Sequence, residues 1–147
     1  ILDLRDGFGG RPENYADPFF RPDVTLEWTF QGAGTQRQRF GYGAPLVVII
    51  NEGSRSAKEV LAYILKKSKR ATLVGRTTAG AVLGTTPRPV NDWCYLEIPM
   101  ATLKVDGQIL EDRGVEPDVP LTEEFDAEGN DLFLRQAVET LDEKTKK

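Results

Sequence analysis

An α/β architecture around a mostly parallel sheet is what this chain encodes, and three adjoining stretches carry the reading. Pro45-Leu-Val-Val-Ile-Ile-Asn51 is β-branched, apolar on both faces and bounded by turn residues, as a strand covered on both sides reads. Over residues 56–69 the apolar Val60, Leu61, Ile64 and Leu65 recur at helical spacing and form one stripe. Residues 71–75 make a second short buried strand. Strand, tight turn, helix and strand in this order are a βαβ unit, whose crossover is expected to be right-handed.

The flanks fit around that unit. Residues 1–5 read as a short strand closed by the turn-forming run Asp6-Gly7-Phe8-Gly9-Gly10. Residues 11–23 hold Pro12, Pro18 and Pro22 and are expected to be loop with at most a helical turn. Residues 24–30 alternate apolar and polar side chains like a half-exposed strand, and 32–43 read as a glycine-rich polar connection. Residues 76–83 are a loop of small residues. Residues 93–103 and 105–110 are expected to be two strands joined near Asp106-Gly107. Residues 113–120 form a rigid connector with two prolines. From Asp131 to about Lys144 a closing amphipathic helix carries Leu132, Leu134, Ala137, Val138 and Leu141. The whole is read as one domain, 1–147.

Composition excludes several classes. With 39% hydrophobic residues over 147 positions the chain can enclose a core. Its longest apolar stretch, 46–50, falls far short of the roughly 18 residues of a membrane span. A net charge of −4 argues against nucleic acid as the main partner, because a phosphate-binding face concentrates Lys and Arg. The basic run Lys66, Lys67, Lys69 and Arg70 reads as a solvated helix end that complements the helix dipole. Cys94 is the single cysteine, which rules out an internal disulfide, and there is no histidine. That removes every Ser-His and Cys-His pair from these residues and argues against zinc. The chain opens on Ile-Leu-Asp-Leu-Arg without methionine or leader, and is expected to be part of a longer protein.

Chemistry is best placed at Asn51-Glu-Gly-Ser-Arg-Ser56-Ala-Lys-Glu59, between a buried strand and a helix. A strand end presents its side chain at the rim of the sheet. The helix start offers unpaired N–H groups and a positive dipole end to a developing oxyanion. The same residues also read as a plain cap, in which Ser54 or Ser56 satisfies the first amides and Glu59 completes a capping box with Ser56. The two readings are compatible. Gly9-Gly10 is either a turn needing positive φ or a bare backbone N–H open to a substrate. Thr77-Thr78-Ala79-Gly80 is either a loop or a small-residue wall beside the serine.

Four blocks span residues 1 to about 120: Ile1-Leu-Asp-Leu-Arg-x-x-x-Gly-Gly10; Pro45-Leu-Val-Val-x-x-Asn51-Glu-Gly-Ser-x-Ser56-Ala-x-Glu59; Arg70-Ala-x-Leu-Val-Gly75-x-Thr-Thr-Ala-Gly80; and Gly114-Val-Glu-Pro-Asp118. In this order and spacing they resemble the tail-specific, or C-terminal processing, serine peptidases, whose relatives include the tricorn core and the interphotoreceptor retinoid-binding protein modules. The resemblance implies a ClpP/crotonase-like spiral of ββα units. It also implies Ser56 as nucleophile, with the N–H groups of Ala57 and Gly10 (Gly9 second) as oxyanion donors. The departure is Ala81, which stands where Ser-Lys members carry their general-base lysine. The Thr-Thr-Ala-Gly-Ala version is similar instead to the tricorn-like branch, where the base is an upstream histidine oriented by a glutamate just before the Gly-Val-x-Pro-Asp block. Glu111 matches that glutamate, with Asp112 as the neighbouring alternative, and the histidine would lie before Ile1. Lys58, two positions past Ser56 on a helix, points away from it. Lys104 approaches Ser56 only if the fold brings the late strands there.

What the resemblance implies is peptide-bond hydrolysis through an acyl-enzyme on Ser56, in the C-terminal part of a catalytic domain that has little activity alone. A polypeptide is the implied substrate and an accessory domain the implied upstream neighbour, with no metal or organic cofactor and with a homo-oligomer left open. A periplasmic or exported location rests on family analogy alone. The competing expectation is a peptidase-like module that binds apolar ligands or polypeptides without cleaving them. An acyl-CoA enzyme of the crotonase type ranks third.

Overall fold

A computed structural model describes residues 1–10, 15–20, 24–32 and 34–146. The elements are β1 (Leu2–Asp3), α1 (Asp17–Phe20), β2 (Val24–Phe30), β3 (Gly34–Phe40), β4 (Val47–Ile50), α2 (Ala57–Lys67), β5 (Thr72–Gly75), β6 (Gly84–Asn91), β7 (Cys94–Ala101), β8 (Lys104–Val105), β9 (Gln108–Ile109), β10 (Val119–Pro120) and α3 (Leu132–Thr145). One sheet runs β1-β4-β5-β10 with every neighbouring pair parallel. The expected α/β class and its parallel central sheet are the ones the chain adopts.

The composition of β4 explains why the sheet lies in the middle. Alternate side chains of a strand point to opposite faces, and here both sets are apolar and buried. Val48 and Ile50 pack with Leu61, Ala62 and Leu65 of α2. Val47 and Ile49 pack with Val74, Phe133 and Ala137, which places α3 on the other face. The result is three layers, helix on sheet on helix. Gly75, closing β5 at φ 123, has no room for a side chain, since a Cβ there would stand 2.1 Å from the Ile50 carbonyl oxygen. Among the described residues no helix is long and apolar enough to cross a membrane.

Four expectations are corrected. The polar connection over 32–43 contains β3, paired antiparallel with β2 from Val24↔Phe40 to Phe30↔Gly34. Its Gln and Arg residues show no apolar rhythm, so the ladder with β2 makes this strand. The strand over 93–103 pairs backwards with β6, not forwards with 105–110, and Asp106-Gly107 turns only the short β8 into β9. Pro87 and Pro89 hid β6; a two-stranded ribbon tolerates them because each strand keeps a free edge. The proline connector holds β10, whose Pro120 is tolerated because the strand is the sheet's edge. In α3 the inward residues are Phe133, Ala137 and Thr140, while Leu134 and Val138 are each 44% exposed. The helix carries two interleaved apolar rows, and the Phe133 row won the sheet. Pro12 and Pro22 lie outside the described residues, and Pro18 falls in α1.

Charges finish the assembly. Arg5, at the exit of β1, pairs with Asp3 at 2.7 Å, Glu124 at 2.9 Å and Asp131 at 2.7 Å. Asp131 also caps α3 by accepting from the Leu134 N–H at 2.9 Å. The basic run does more than face water. Lys66 donates to the Glu116 carbonyl at 2.7 Å, and Arg70 to the carbonyls of Phe19 and Ala44, each at 2.9 Å, and of Tyr42.

Two predictions follow from this packing. Phe133→Ala should cost about 3–5 kcal/mol in denaturant unfolding; a loss under about 1 kcal/mol would mean that α3 does not close the second core. Burial pushes the carboxyls of Asp3 and Asp131 up, but hydrogen bonds and charge from Arg5, with the α3 amides at Asp131, more than reverse it, so both sit below the ordinary 3.8. A depressed carboxyl contributes its full stability above that unfolded value and loses it as pH falls through the folded one. The Tm should therefore drop below about pH 4, less steeply in Asp131→Asn.

Candidate active site

Ser56 stands at the corner between β4 and α2, with φ 58 and ψ −127. A non-glycine residue held there stores roughly 1–3 kcal/mol of strain. Its N–H donates to the Ala81 carbonyl at 2.9 Å and to Glu59 Oε1 at 3.2 Å, and its carbonyl accepts from the N–H groups of Glu59 at 3.0 Å and Val60 at 3.3 Å. Ser56 and Glu59 form a capping box, in which the Ser56 side chain receives the Glu59 N–H that also bonds the Ser56 carbonyl; the hydroxyl oxygen there only accepts, and among the described residues its proton is given to no acceptor. The cap uses backbone, carboxylate and a lone pair of the hydroxyl oxygen, and leaves the hydroxyl proton unengaged among the described residues. Ser54 is different. It is fully buried, donating to the Leu4 carbonyl at 2.8 Å and accepting from the Asn51 N–H at 3.1 Å.

Glu59 does more than cap. Its carboxylate is 0% exposed. Besides the Ser56 N–H it accepts from the Gly80 N–H at 2.7 Å, the Ala81 N–H at 2.8 Å and the Thr78 hydroxyl. Thr78 Oγ1 in turn accepts from the Val115 N–H at 2.8 Å. One carboxylate thus joins the start of α2 to the 78–81 loop and, through Thr78, to the Gly114-Val115 turn. Sequence reasoning assigned Glu59 only the capping box. The available signal was an acidic residue set among the inward-facing positions Ala57, Val60 and Leu61, where a carboxylate needs donors.

The glycine loop approaches from the other side. Arg55 donates its N–H to the Gly7 carbonyl at 3.2 Å, Asn51 Nδ2 donates to Asp6 Oδ1 at 3.2 Å, and Lys58 Nζ donates to the Arg5 carbonyl at 3.1 Å and to that of Asp6. Lys58 is thereby turned away from Ser56, as its spacing required. Gly9 presses on the first turn of α2: a Cβ there would stand 2.5 Å from the Lys58 nitrogen. Gly10, at φ 77, then lines one open cleft of about 680 Å³ together with Ser56 and Ala57. Among the described residues the N–H groups of Gly10 and Ala57 are given to no acceptor.

Glu111 stands behind the wall of this cleft. Its Oε2 accepts from the N–H groups of Val82 at 2.7 Å and Leu83 at 3.1 Å, and both residues line the cleft. Oε1 has no partner among the described residues. Asp112 is exposed, with its N–H on the Gly80 carbonyl at 2.9 Å. Ala81 abuts Ser56 through its carbonyl and presents only a methyl group. Lys104 is exposed on β8 and lies outside the cleft wall. Among the described residues no group of three or more His, Cys, Asp or Glu is placed to hold a metal ion.

A parallel-sheet domain with a serine at a strained strand-to-helix corner, beside two unclaimed amides, has the layout of a hydrolase that works through serine. Residues 1–121 match peptidase family S41, and the chain belongs to that family of serine peptidases. The carboxyl-terminal-processing protease of Synechocystis sp. is 35% identical over 108 residues, covering 69% of this chain and 25% of that protein. The solved photosystem II D1 C-terminal processing protease superposes with TM-score 0.57 at 32% identity, over 87% of this chain and 36% of that one. The tricorn protease superposes with TM-score 0.78 at 21% identity, over 100% of this chain and 15% of that one, a likeness of fold. The chain spans about a quarter of the length of the curated relatives it matches.

Glu59→Gln would set an amide NH₂ among groups that are themselves donors. It should lose about 2–4 kcal/mol in urea unfolding; a loss under about 1 kcal/mol would contradict the bracing role.

Proposed function

We propose that this chain is the nucleophile-bearing, C-terminal part of a serine peptidase domain of the C-terminal processing kind, which cleaves polypeptides through an acyl-enzyme on Ser56. What supports the reading above all is the Ser56 hydroxyl at its strained corner, sharing a cleft with the amides of Gly10 and Ala57, which no acceptor among the described residues claims. Ser56 Oγ bonds to the scissile carbonyl carbon while its proton passes to a base, and the two amides hold the oxyanion. Losing one such donor typically costs about 10²–10³ in rate. Collapse expels the amine, which takes the proton back, and water then frees the new carboxylate.

Serine is a poor nucleophile near neutral pH without a base. Ala81 offers none and the chain holds no histidine, so the base is assigned to a histidine outside these residues. Glu111 can hold it in the correct tautomer through Oε1 while Oε2 stays on the Val82 and Leu83 amides. These 147 residues alone then have little activity, and specificity draws on an accessory domain of the full-length protein.

Fluorophosphonate labelling of the full-length protein checks this. The wild type should label, Ser56→Ala should not, and Glu111→Gln should label roughly 10²–10⁴-fold more slowly. Unchanged labelling in Ser56→Ala would refute the assignment. A wild type that never labels would favour a non-cleaving binding module, the reading to which Ala81 and the missing histidine otherwise lend weight.

A further inference from the structure

We infer that Glu97 selects peptides carrying a cationic side chain, lysine or arginine, a few residues from the bond that Ser56 attacks. The inference rests on the peptidase reading of the cleft and adds a substrate class to it.

Among the described residues, Glu97 is the one charged residue that walls the Ser56 cleft. Its neighbours there, such as Val60, Val82, Leu83 and Leu103, are apolar and give a peptide no charge to read. Glu97 and Ala101 both belong to β7 and both line the cleft, with an irregularity of the β6–β7 ladder at the Gly84/Thr85 step between them. Ala101 pairs with Gly84, close to Ala81 and hence to Ser56. It marks the end nearer the serine. Four residues of strand span about 13 Å, so Glu97 meets an extended peptide roughly three or four residues away from the reacting bond.

Nothing on the hairpin neutralises this carboxylate. Across the ladder Glu97 faces Pro87, and the hairpin's one cation, Arg88, sits opposite Leu96 on the other face. Among the described residues the Glu97 carboxylate makes no hydrogen bond or ion pair. A peptide filling the cleft displaces water from around the carboxylate. That strengthens its attraction for an opposite charge and penalises a like one. The arrangement therefore discriminates in both directions.

The test uses the full-length protein and internally quenched peptides with one apolar host sequence, in which a single Lys, Ala or Glu is moved through four positions on each side of the cleaved bond. At one position kcat/KM should favour Lys over Glu by roughly three- to tenfold, and the preference should shrink in 1 M salt. Glu97→Gln should bring the ratio to about one and Glu97→Lys should invert it. Cleavage without a Lys-over-Glu preference at any position, or a preference that survives Glu97→Gln, overturns the inference while leaving the peptidase reading intact. Cleavage of no peptide at all overturns that reading, and the inference falls with it.

Discussion

A buried carboxylate braces the site. Burying an ionised group is tolerable only when its lone pairs are filled, and Glu59 fills them with the Ser56, Gly80 and Ala81 amides and the Thr78 hydroxyl. These donors come from segments about twenty residues apart that would otherwise meet as unpaired N–H and O–H groups. The strain at Ser56 is held in place by this bracing. Its φ of 58 persists because hydrogen bonds fix the residue from both its amide and its carbonyl side.

The sheet supplies the rest of the geometry. Because β1, β4 and β5 are parallel neighbours, their carboxyl ends emerge on one edge, where open α/β sheets bind their ligands. The loops that leave them carry the glycine pair, the Ser56 corner and the 76–83 segment. Lys58, Asn51 and the Arg55 amide then sew the glycine loop to the serine loop. A helix on each face of β4 keeps that edge in register. The geometry of the cleft and core packing are therefore one problem here.

Much of this is legible in the sequence, and for identifiable reasons. A doubly apolar run such as 45–51 has few fates other than a central strand, and the residues after it must turn at the sheet's rim. That put Ser54, Ser56 and Ala57 at a rim corner, and family resemblance alone chose Ser56 and joined Gly10 to it. The polar ladder of β3, the prolines of β6 and the two-residue β10 were not legible, because cross-strand pairing makes them strands and local preference does not. The inward row of α3 was misread because Leu134 and Val138 compete with Phe133 in pattern, and only the space above Val47 and Ile49 decides between them. Glu59 was half-read. A capping box is local, but the distant amides that meet the same carboxylate are a property of the folded chain.

The directness of the serine corner can be tested by a crystal structure of the full-length protein after reaction with a fluorophosphonate. The geometry predicts a phosphonyl group bonded to Ser56 Oγ, with one oxygen about 2.7–3.1 Å from both the Gly10 and the Ala57 nitrogen. An adduct on another residue, or a phosphonyl oxygen that faces solvent while those two amides point elsewhere, would contradict it.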